Sequence, residues 1–257
     1  MNSNPKISIS TAGWADFRGF TFLFDHPTHA YNADRGLIHL KTNSRLTFYH
    51  QLHQTLTGLD LLSLQEHFTF QPLPFYSYHV TFCDGLNPEN LSNLNDPLQE
   101  EMANFLQGLP QSLCQNQRMS SLSRMAARLQ PANGEIDFKF QRLENWSNVS
   151  LVAKLSPADK HDQKEYQAML AIRQRLRTLL RTEFKLNPSH PYQPHITLGY
   201  FRYPDSARAI KHRLERITTR FQARMEDQIL SLKKFSLYGF LDMATFFKCS
   251  AAPGKKN

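Results

Sequence analysis

The sequence predicts an α+β fold, because segments with the periodicity of strands and segments with the periodicity of helices follow each other in the same order twice. Residues 136–140 alternate between apolar and polar side chains, which is the pattern of a half-buried strand. Residues 160–184 and 205–222 instead carry apolar side chains at helical spacing. The order strand, helix, histidine-bearing strand, helix is therefore expected in about 36–108 and again in about 149–222.

The remaining elements are assigned by their periodicity and by the residues that interrupt it. Glycine and proline are expected to end two helices, at Gly58 and at Gly108-Leu109-Pro110. We expect strands at 20–24, 36–40, 149–153, 229–238 and 243–247, one or two strands within 63–83, helices at 45–58 and within 88–108, and a hinge over 110–133 that includes a short helix.

Composition and charge limit what the protein can be. Its 257 residues are 40% hydrophobic and 20% charged, which is typical of a globular protein large enough to bury a core. The formal net charge of +8 favours anionic partners. The three cysteines lack metal-ligand spacing, and the sequence has neither a secretion signal nor an apolar run that could span a membrane. A reducing, cytoplasmic location is therefore expected.

Two short segments carry the residues most suited to chemistry, Tyr78-His79-Val80-Thr81-Phe82 and Pro194-His195-Ile196-Thr197-Leu198. On a strand, residues two positions apart lie on the same face. Each segment therefore places one imidazole and one hydroxyl on a shared face, with the β-branched residue between them on the other. Two acid/base groups with two hydrogen-bond donors suit a phosphate substrate.

The bare pattern His-x-Thr is not specific, because five histidines of the chain fit it. These are His26, His53, His67, His79 and His195. A proline follows His26, which disfavours a central strand, and His53 lies in a run with helical spacing. His67 is the one alternative to His79 as the first motif, since its apolar neighbours also alternate. His79 is favoured because it follows an aromatic-rich stretch and leads to the turn signal Asp84-Gly85.

The paired segments resemble the signature of the 2H phosphoesterase superfamily, which includes RNA ligase-like 2′,3′-cyclic phosphodiesterases. The context of His79 is similar to that of a bacterial branch of unknown function. The resemblance implies two pseudo-symmetric lobes, each an antiparallel sheet with helices outside, around a central cleft with one motif per lobe. We accordingly expect a single bilobal domain over 36–247, with lobes of about 36–110 and 134–247. Residues 1–35 are expected to form an N-terminal extension and 248–257 a flexible tail.

The chemistry implied by this resemblance is hydrolysis of a cyclic phosphodiester, either a 2′,3′-cyclic nucleotide or an RNA end. His79 and His195 would serve as general acid and general base, in an order that the sequence leaves open. Thr81 and Thr197 would bind the phosphate oxygens. No metal and no cofactor are needed, and the expected partner is a cyclic nucleotide or an RNA with a cyclic phosphate end. The oligomeric state stays open.

Other interpretations remain open at the level of sequence. The same fold can serve as a non-catalytic module that binds RNA or a cyclic nucleotide. A metal hydrolase built on the histidines of the first half is a third possibility, although no carboxylate completes a recognised ligand pattern. The metal hydrolase would use His26, His29, His50 and His53 as ligands. Three aromatic residues after the second motif could stack a base or pack in the core: Tyr200, Phe201 and Tyr203. The arginines of the helix at 160–184 are expected to form a solvated face: Arg173, Arg175, Arg177 and Arg181.

Overall fold

The computed structural model of the chain describes residues 3–8, 10, 13–25, 29–39, 47–59, 61–131, 135–186 and 191–249. Its strands are β1 (Gly19–Phe24), β2 (His29–Asn32), β3 (Gly36–His39), β4 (Phe70–Pro72), β5 (Thr81–Asp84), β6 (Ile136–Trp146), β7 (Ser150–Pro157), β8 (His195–Phe201), β9 (Leu230–Leu232), β10 (Phe235–Phe240) and β11 (Phe246–Cys249).

Helices lie between these strands. They are α1 (Thr47–Leu59), α2 (Leu61–Phe68), α3 (Pro88–Leu91), α4 (Asp96–Gln107), α5 (Gln111–Gln115), α6 (Gln117–Arg128), α7 (Lys160–Phe184), α8 (Pro204–Ala209) and α9 (Lys211–Met225). A single 3₁₀ turn, Phe75–Ser77, precedes the first motif. In the described part of the chain no helix is long and apolar enough to cross a bilayer.

Within the described residues the strands form two sheets, and the predicted α+β fold is confirmed. One sheet has the order β3-β2-β11-β10-β1-β5, and the other has the order β4-β8-β7-β6-β9. Neighbouring strands are antiparallel except for β11 and β2, which are parallel. All six residues of β1 are buried, and this strand is paired on both sides, with β10 and with the edge strand β5.

A single β-bridge joins the two sheets in the described structure. Val80 pairs with Ile196 in antiparallel orientation, just before β5 begins and within β8. Both side chains are 0% exposed and belong to the shared hydrophobic core. The bridge therefore fixes the first motif segment against the second, and it sets the geometry of the candidate site.

Strand pairing differs from the expected lobes of 36–110 and 134–247. The first sheet takes β10 and β11 from the C-terminal part of the chain, and the second takes β4 from the N-terminal part. Residues 19–24, expected in an N-terminal extension, form β1, which is paired with β10 and β5 inside the first sheet. The expected tail begins inside β11, which ends at Cys249. Residues 250–257 lie outside the described residues. The domain boundaries themselves stay a prediction.

The one or two strands expected within 63–83 are present as β4 and β5, but α2 extends through Phe68 before them, and His79 precedes β5 instead of lying within it. Cys114 and Cys249 form a disulfide, which the sparse cysteine count did not predict. Disulfides are more typical of oxidising compartments, so the cytoplasmic location stays a prediction. The helix predicted at 160–184 is confirmed with those bounds.

Substitution of the bridging Ile196 by alanine is expected to destabilise the fold by about 2–5 kcal/mol, because it leaves a cavity in fully packed core. Urea unfolding of Ile196→Ala measures this free energy. Leu62→Ala is the control, since Leu62 is 73% exposed, and its effect should lie within about 0.5 kcal/mol of zero. A loss below about 1 kcal/mol for Ile196→Ala would contradict the packing described here.

Candidate active site

The bridge brings all four motif residues together. In antiparallel pairing of Val80 with Ile196, the residue before one lies opposite the residue after the other. His79 therefore faces Thr197, and Thr81 faces His195. The four side chains are half-buried and line one cavity of about 230 Å³. Each histidine of one segment thus has the hydroxyl of the other segment beside it.

Both imidazoles are held in the same way by the chain two residues upstream. His79 Nδ1 lies 2.7 Å from the carbonyl oxygen of Ser77, and His195 Nδ1 lies 2.9 Å from that of Gln193. A carbonyl oxygen only accepts, so Nδ1 carries the hydrogen in each neutral ring. Nε2 is then the nitrogen that takes up or gives a proton at both positions.

An aromatic ring packs on each imidazole. The His79 ring lies 4.3 Å from the ring of Phe246 on β11, and the His195 ring lies 4.1 Å from that of Trp146 at the end of β6, both measured between centroids. Phe246 belongs to the same sheet as β5, the strand that follows His79, and Trp146 belongs to the same sheet as β8, which carries His195. The rings restrict rotation of the imidazoles and exclude water from one face of each.

Burial lowers the pKa of His195 below its ordinary value of 6.5. The Gln193 carbonyl and the carboxylates of Asp84 and Glu144 act in the opposite direction, but desolvation is the largest cause. The neutral imidazole is therefore favoured at neutral pH. A ring held neutral, with Nδ1 already donating, presents Nε2 as a proton acceptor.

Trp146 is itself fixed by an ionic network. Its Nε1–H donates to Glu144 at 2.7 Å, and Glu144 also accepts from Arg142 and from Lys154. Burial would raise the pKa of Glu144, but these three hydrogen bonds and the Lys154 charge outweigh it and lower the pKa. The carboxylate therefore stays charged, which keeps the indole ring against His195.

Tyr200 lies three residues after Thr197 and also lines the cavity. Burial raises the pKa of its phenol, and the nearby Thr197 side chain acts in the opposite direction. Phe201, considered with it as a base-stacking residue, is instead a fully buried core residue. Tyr203 is the N-cap residue of α8. Of these three aromatic residues, Tyr200 is the one that lines a cavity with the motif residues.

A second cavity of about 530 Å³ shares Thr81, Asp84, Trp146 and His195 with the first. Arg173 of α7 lines it, with its guanidinium 4.8 Å from the centroid of the Tyr192 ring. The expectation that Arg173 belongs to a solvated helix face was wrong. Arg173 is 6% exposed and donates from Nε to the carbonyl oxygen of Phe82 at 2.9 Å.

The spacing of buried residues on α7 explains this position. The inward face of the helix is formed by Met169, Arg173, Leu176 and Leu180, at intervals of four, three and four. Such intervals place residues on one helix face. Arg173 therefore interrupts the apolar stripe of α7, and this signal was present in the sequence.

The other candidate histidines lie elsewhere. His67 is on the exposed side of α2 and lines neither cavity. His50 and His53 are on α1, whereas the ring nitrogens of His29 and His39 meet at 3.0 Å on the β2–β3 hairpin. His26 falls outside the described residues. Among the described residues, no three His, Cys, Asp or Glu side chains are grouped as a metal ion would require.

The family model of the 2′-5′ RNA ligase superfamily matches residues 70–229, more than half of the chain. The protein therefore belongs to this superfamily, the 2H phosphoesterases. No curated protein matches this chain significantly in sequence.

Three solved structures are similar to the whole chain at low sequence identity. A conserved protein of unknown function from Agrobacterium tumefaciens has a TM-score of 0.49 at 14% identity, over 95% of this chain and 88% of its own. Escherichia coli LigT in complex with 3′-AMP has a TM-score of 0.45 at 11% identity, over 93% and 92%. Kluyveromyces marxianus Usb1 has a TM-score of 0.41 at 12% identity, over 89% and 95%.

The environment of His195 leads to a prediction for its titration. Its pKa, measured by NMR on the imidazole ring, is expected below 6.5, with Nδ1 protonated in the neutral form. Trp146→Ala removes the covering ring, so the pKa should rise toward 6.5. His195 protonates less readily in the folded than in the unfolded protein. Its protonation therefore costs stability as the pH falls below 6.5.

An unchanged His195 pKa in Trp146→Ala would show that the indole ring does not desolvate the imidazole. Trp14→Ala is the matched control, because the Trp14 ring packs on Tyr200 rather than on His195. The pKa of His195 in Trp14→Ala should equal that in the wild type.

Proposed function

We propose that the protein hydrolyses a cyclic phosphodiester without a metal, and that its substrate is a 2′,3′-cyclic nucleotide or an RNA with a cyclic phosphate end. One observation carries this proposal. Two imidazoles, each with Nδ1 bonded to a carbonyl, line a common cavity with two hydroxyls, in an arrangement that is nearly symmetric about the Val80–Ile196 bridge. Hydrolysis of a phosphodiester needs one group that accepts a proton and one that gives a proton.

The two histidines take different roles. His195, whose pKa is lowered by burial, is neutral and accepts a proton from the attacking water at Nε2. His79 gives a proton from Nε2 to the departing sugar oxygen. The P–O bond to that oxygen breaks as the bond from phosphorus to the water oxygen forms. The product carries a phosphate monoester on one ribose oxygen and a free hydroxyl on the other.

The threonine hydroxyls bind the non-bridging phosphate oxygens, on which negative charge grows in the transition state. Thr81 faces His195 and Thr197 faces His79 across the bridge, so each hydroxyl lies beside the imidazole of the other segment. The larger cavity, which opens from Thr81 and His195, takes the nucleoside. Its Trp146 ring, which packs on His195, is the aromatic surface on which a base can stack.

The direct test is hydrolysis of a panel of 2′,3′-cyclic nucleotides and cyclic-phosphate-ended oligoribonucleotides in excess EDTA. His79→Ala and His195→Ala are each expected to lower kcat roughly 10²-fold to 10⁴-fold. His67→Ala is the matched control, because His67 also precedes a threonine by two positions but lies on α2. It should keep the wild-type rate.

If the folded wild-type protein binds these substrates in the cavity but hydrolyses none of them, the result would contradict the proposed enzyme and support a non-catalytic binding module. Turnover that EDTA abolishes would contradict the metal-independent mechanism. Equal losses in His67→Ala and His79→Ala would contradict the assignment of the first motif.

The threonines are tested by valine, which keeps the branched shape and removes the hydroxyl. Thr81→Val and Thr197→Val are each expected to lower kcat roughly 10²-fold to 10³-fold, the usual cost of losing one donor to a developing oxyanion. Thr219→Val, on the exposed face of α9, is the control. Losses confined to KM would show that the hydroxyls bind ground state and transition state equally.

A further inference from the structure

The N-terminal segment reaches the cavity of the motif residues, although it lies outside the part of the chain that the family model matches. Lys6 lines this cavity together with His79, Thr81, His195 and Thr197. Among the described residues that line it, Lys6 is the one lysine or arginine, and Asp84 is the one carboxylate. Lys6 is therefore the residue of this cavity that offers a permanent positive charge to a bound phosphate.

The position of Lys6 is fixed by a buried asparagine. Asn4 is 6% exposed, and its Oδ1 accepts from the backbone N–H of Lys6 at 3.0 Å. Its Nδ2 donates to the carbonyl oxygens of Phe201, at the end of β8, and of Val149. The carbonyl of Lys6 in turn accepts from the N–H of Ala15. Asn4, two residues before Lys6, is thus held against the strand that carries His195 and Thr197, and Ala15 binds the backbone of Lys6 itself.

The ammonium group of Lys6 lies over aromatic rings of this cavity. Lys6 Nζ is 5.4 Å from the centroid of the Tyr200 ring and 5.1 Å from that of Phe17. The Lys6 charge lowers the pKa of the Tyr200 phenol, although burial raises it more. Tyr200 and Thr197 line the same cavity as Lys6, so the ammonium group lies on the side of the second motif.

The ammonium group has an ion-pair partner that a bound anion could displace. Lys6 Nζ is 3.3 Å from Oε2 of Glu89 on α3, and the two side chains are 17% and 50% exposed. An ion pair with a half-exposed carboxylate contributes little to stability. Glu89 is therefore free to turn toward solvent when a stronger anionic ligand enters the cavity.

We infer that Lys6 is a phosphate-binding residue of this site, brought to the cavity by the N-terminal segment and balanced by Glu89 when the site is empty. This inference rests on the proposed function for the identity of the anion. It assigns to residues outside the matched family region a direct part in binding the substrate. It also gives opposite roles to the two members of one ion pair.

The test is an NMR titration with inorganic phosphate at constant ionic strength, followed at the backbone amides of Thr81 and Thr197. Lys6→Met is expected to weaken phosphate binding roughly 10-fold to 100-fold, as loss of a hydrogen bond to a charged group predicts. Glu89→Gln is expected to tighten it, because the competing carboxylate is gone. Lys139→Met, at an exposed position of β6, should change the Kd less than about 2-fold, the effect of a distant charge.

A wild-type Kd for phosphate in Lys6→Met overturns the inference. Weaker phosphate binding in Glu89→Gln also overturns it, because an ion pair with a purely structural role predicts that both variants lose affinity. Wild-type protein whose Thr81 and Thr197 amides do not respond to phosphate overturns it as well. The outcome is separable from that of the proposed function. If phosphate binding depends on Lys6 but no substrate is turned over, the inference about Lys6 holds and the proposed hydrolase activity is contradicted. If substrates are turned over and the phosphate Kd is unchanged in Lys6→Met, the proposed function holds and the inference about Lys6 is contradicted.

Discussion

The site depends on one backbone contact, the bridge between Val80 and Ile196. Each of these residues lies in the middle of a His-x-Thr segment and is fully buried, so the core fixes the centre of both motifs. Antiparallel pairing then places each histidine opposite the threonine of the other segment. The rest of the two sheets holds this contact in register, because β5 is paired with β1 and β8 is paired with both β4 and β7.

The bridge alone would leave the imidazoles free to rotate, and other contacts remove that freedom. Carbonyl oxygens two residues upstream orient both Nδ1 atoms, and Phe246 and Trp146 cover one face of each ring. These contacts are similar in the two halves, whereas the surroundings are not. The glutamate that fixes Trp146 is on β6, and burial affects His195 enough to lower its pKa. Desolvation thereby suits His195 to accept a proton.

Much of this was predictable from the sequence, because strand and helix periodicities are local properties. The helix at 160–184, the strand at 136–140 and the choice of His79 over the helical His53 all depend on residues within a short window. The 63–83 segment was harder, since the alternation around His67 fits a short helix as well as a strand.

Long-range pairing could not be predicted in this way. Nothing in Gly19–Phe24 indicates that its neighbours are β10 and β5, and nothing near Cys114 indicates that its partner is 135 residues away. Lys6 was missed for the same reason, because only the fold brings the first residues to the second motif. Arg173 is different. Its place in the apolar stripe of α7 was visible, but charged residues are so seldom buried that the spacing alone favoured a solvated face.

The most direct test of this account is the pH dependence of kcat/KM for the wild type, His79→Ala and His195→Ala on one cyclic nucleotide. The wild-type profile should be bell-shaped, with the low-pH limb set by deprotonation of His195 and lying below pH 6.5. His195→Ala should lose the low-pH limb and His79→Ala the high-pH limb. Survival of the low-pH limb in His195→Ala, with its loss in His79→Ala, would contradict the assignment of the proton acceptor on which the mechanism rests.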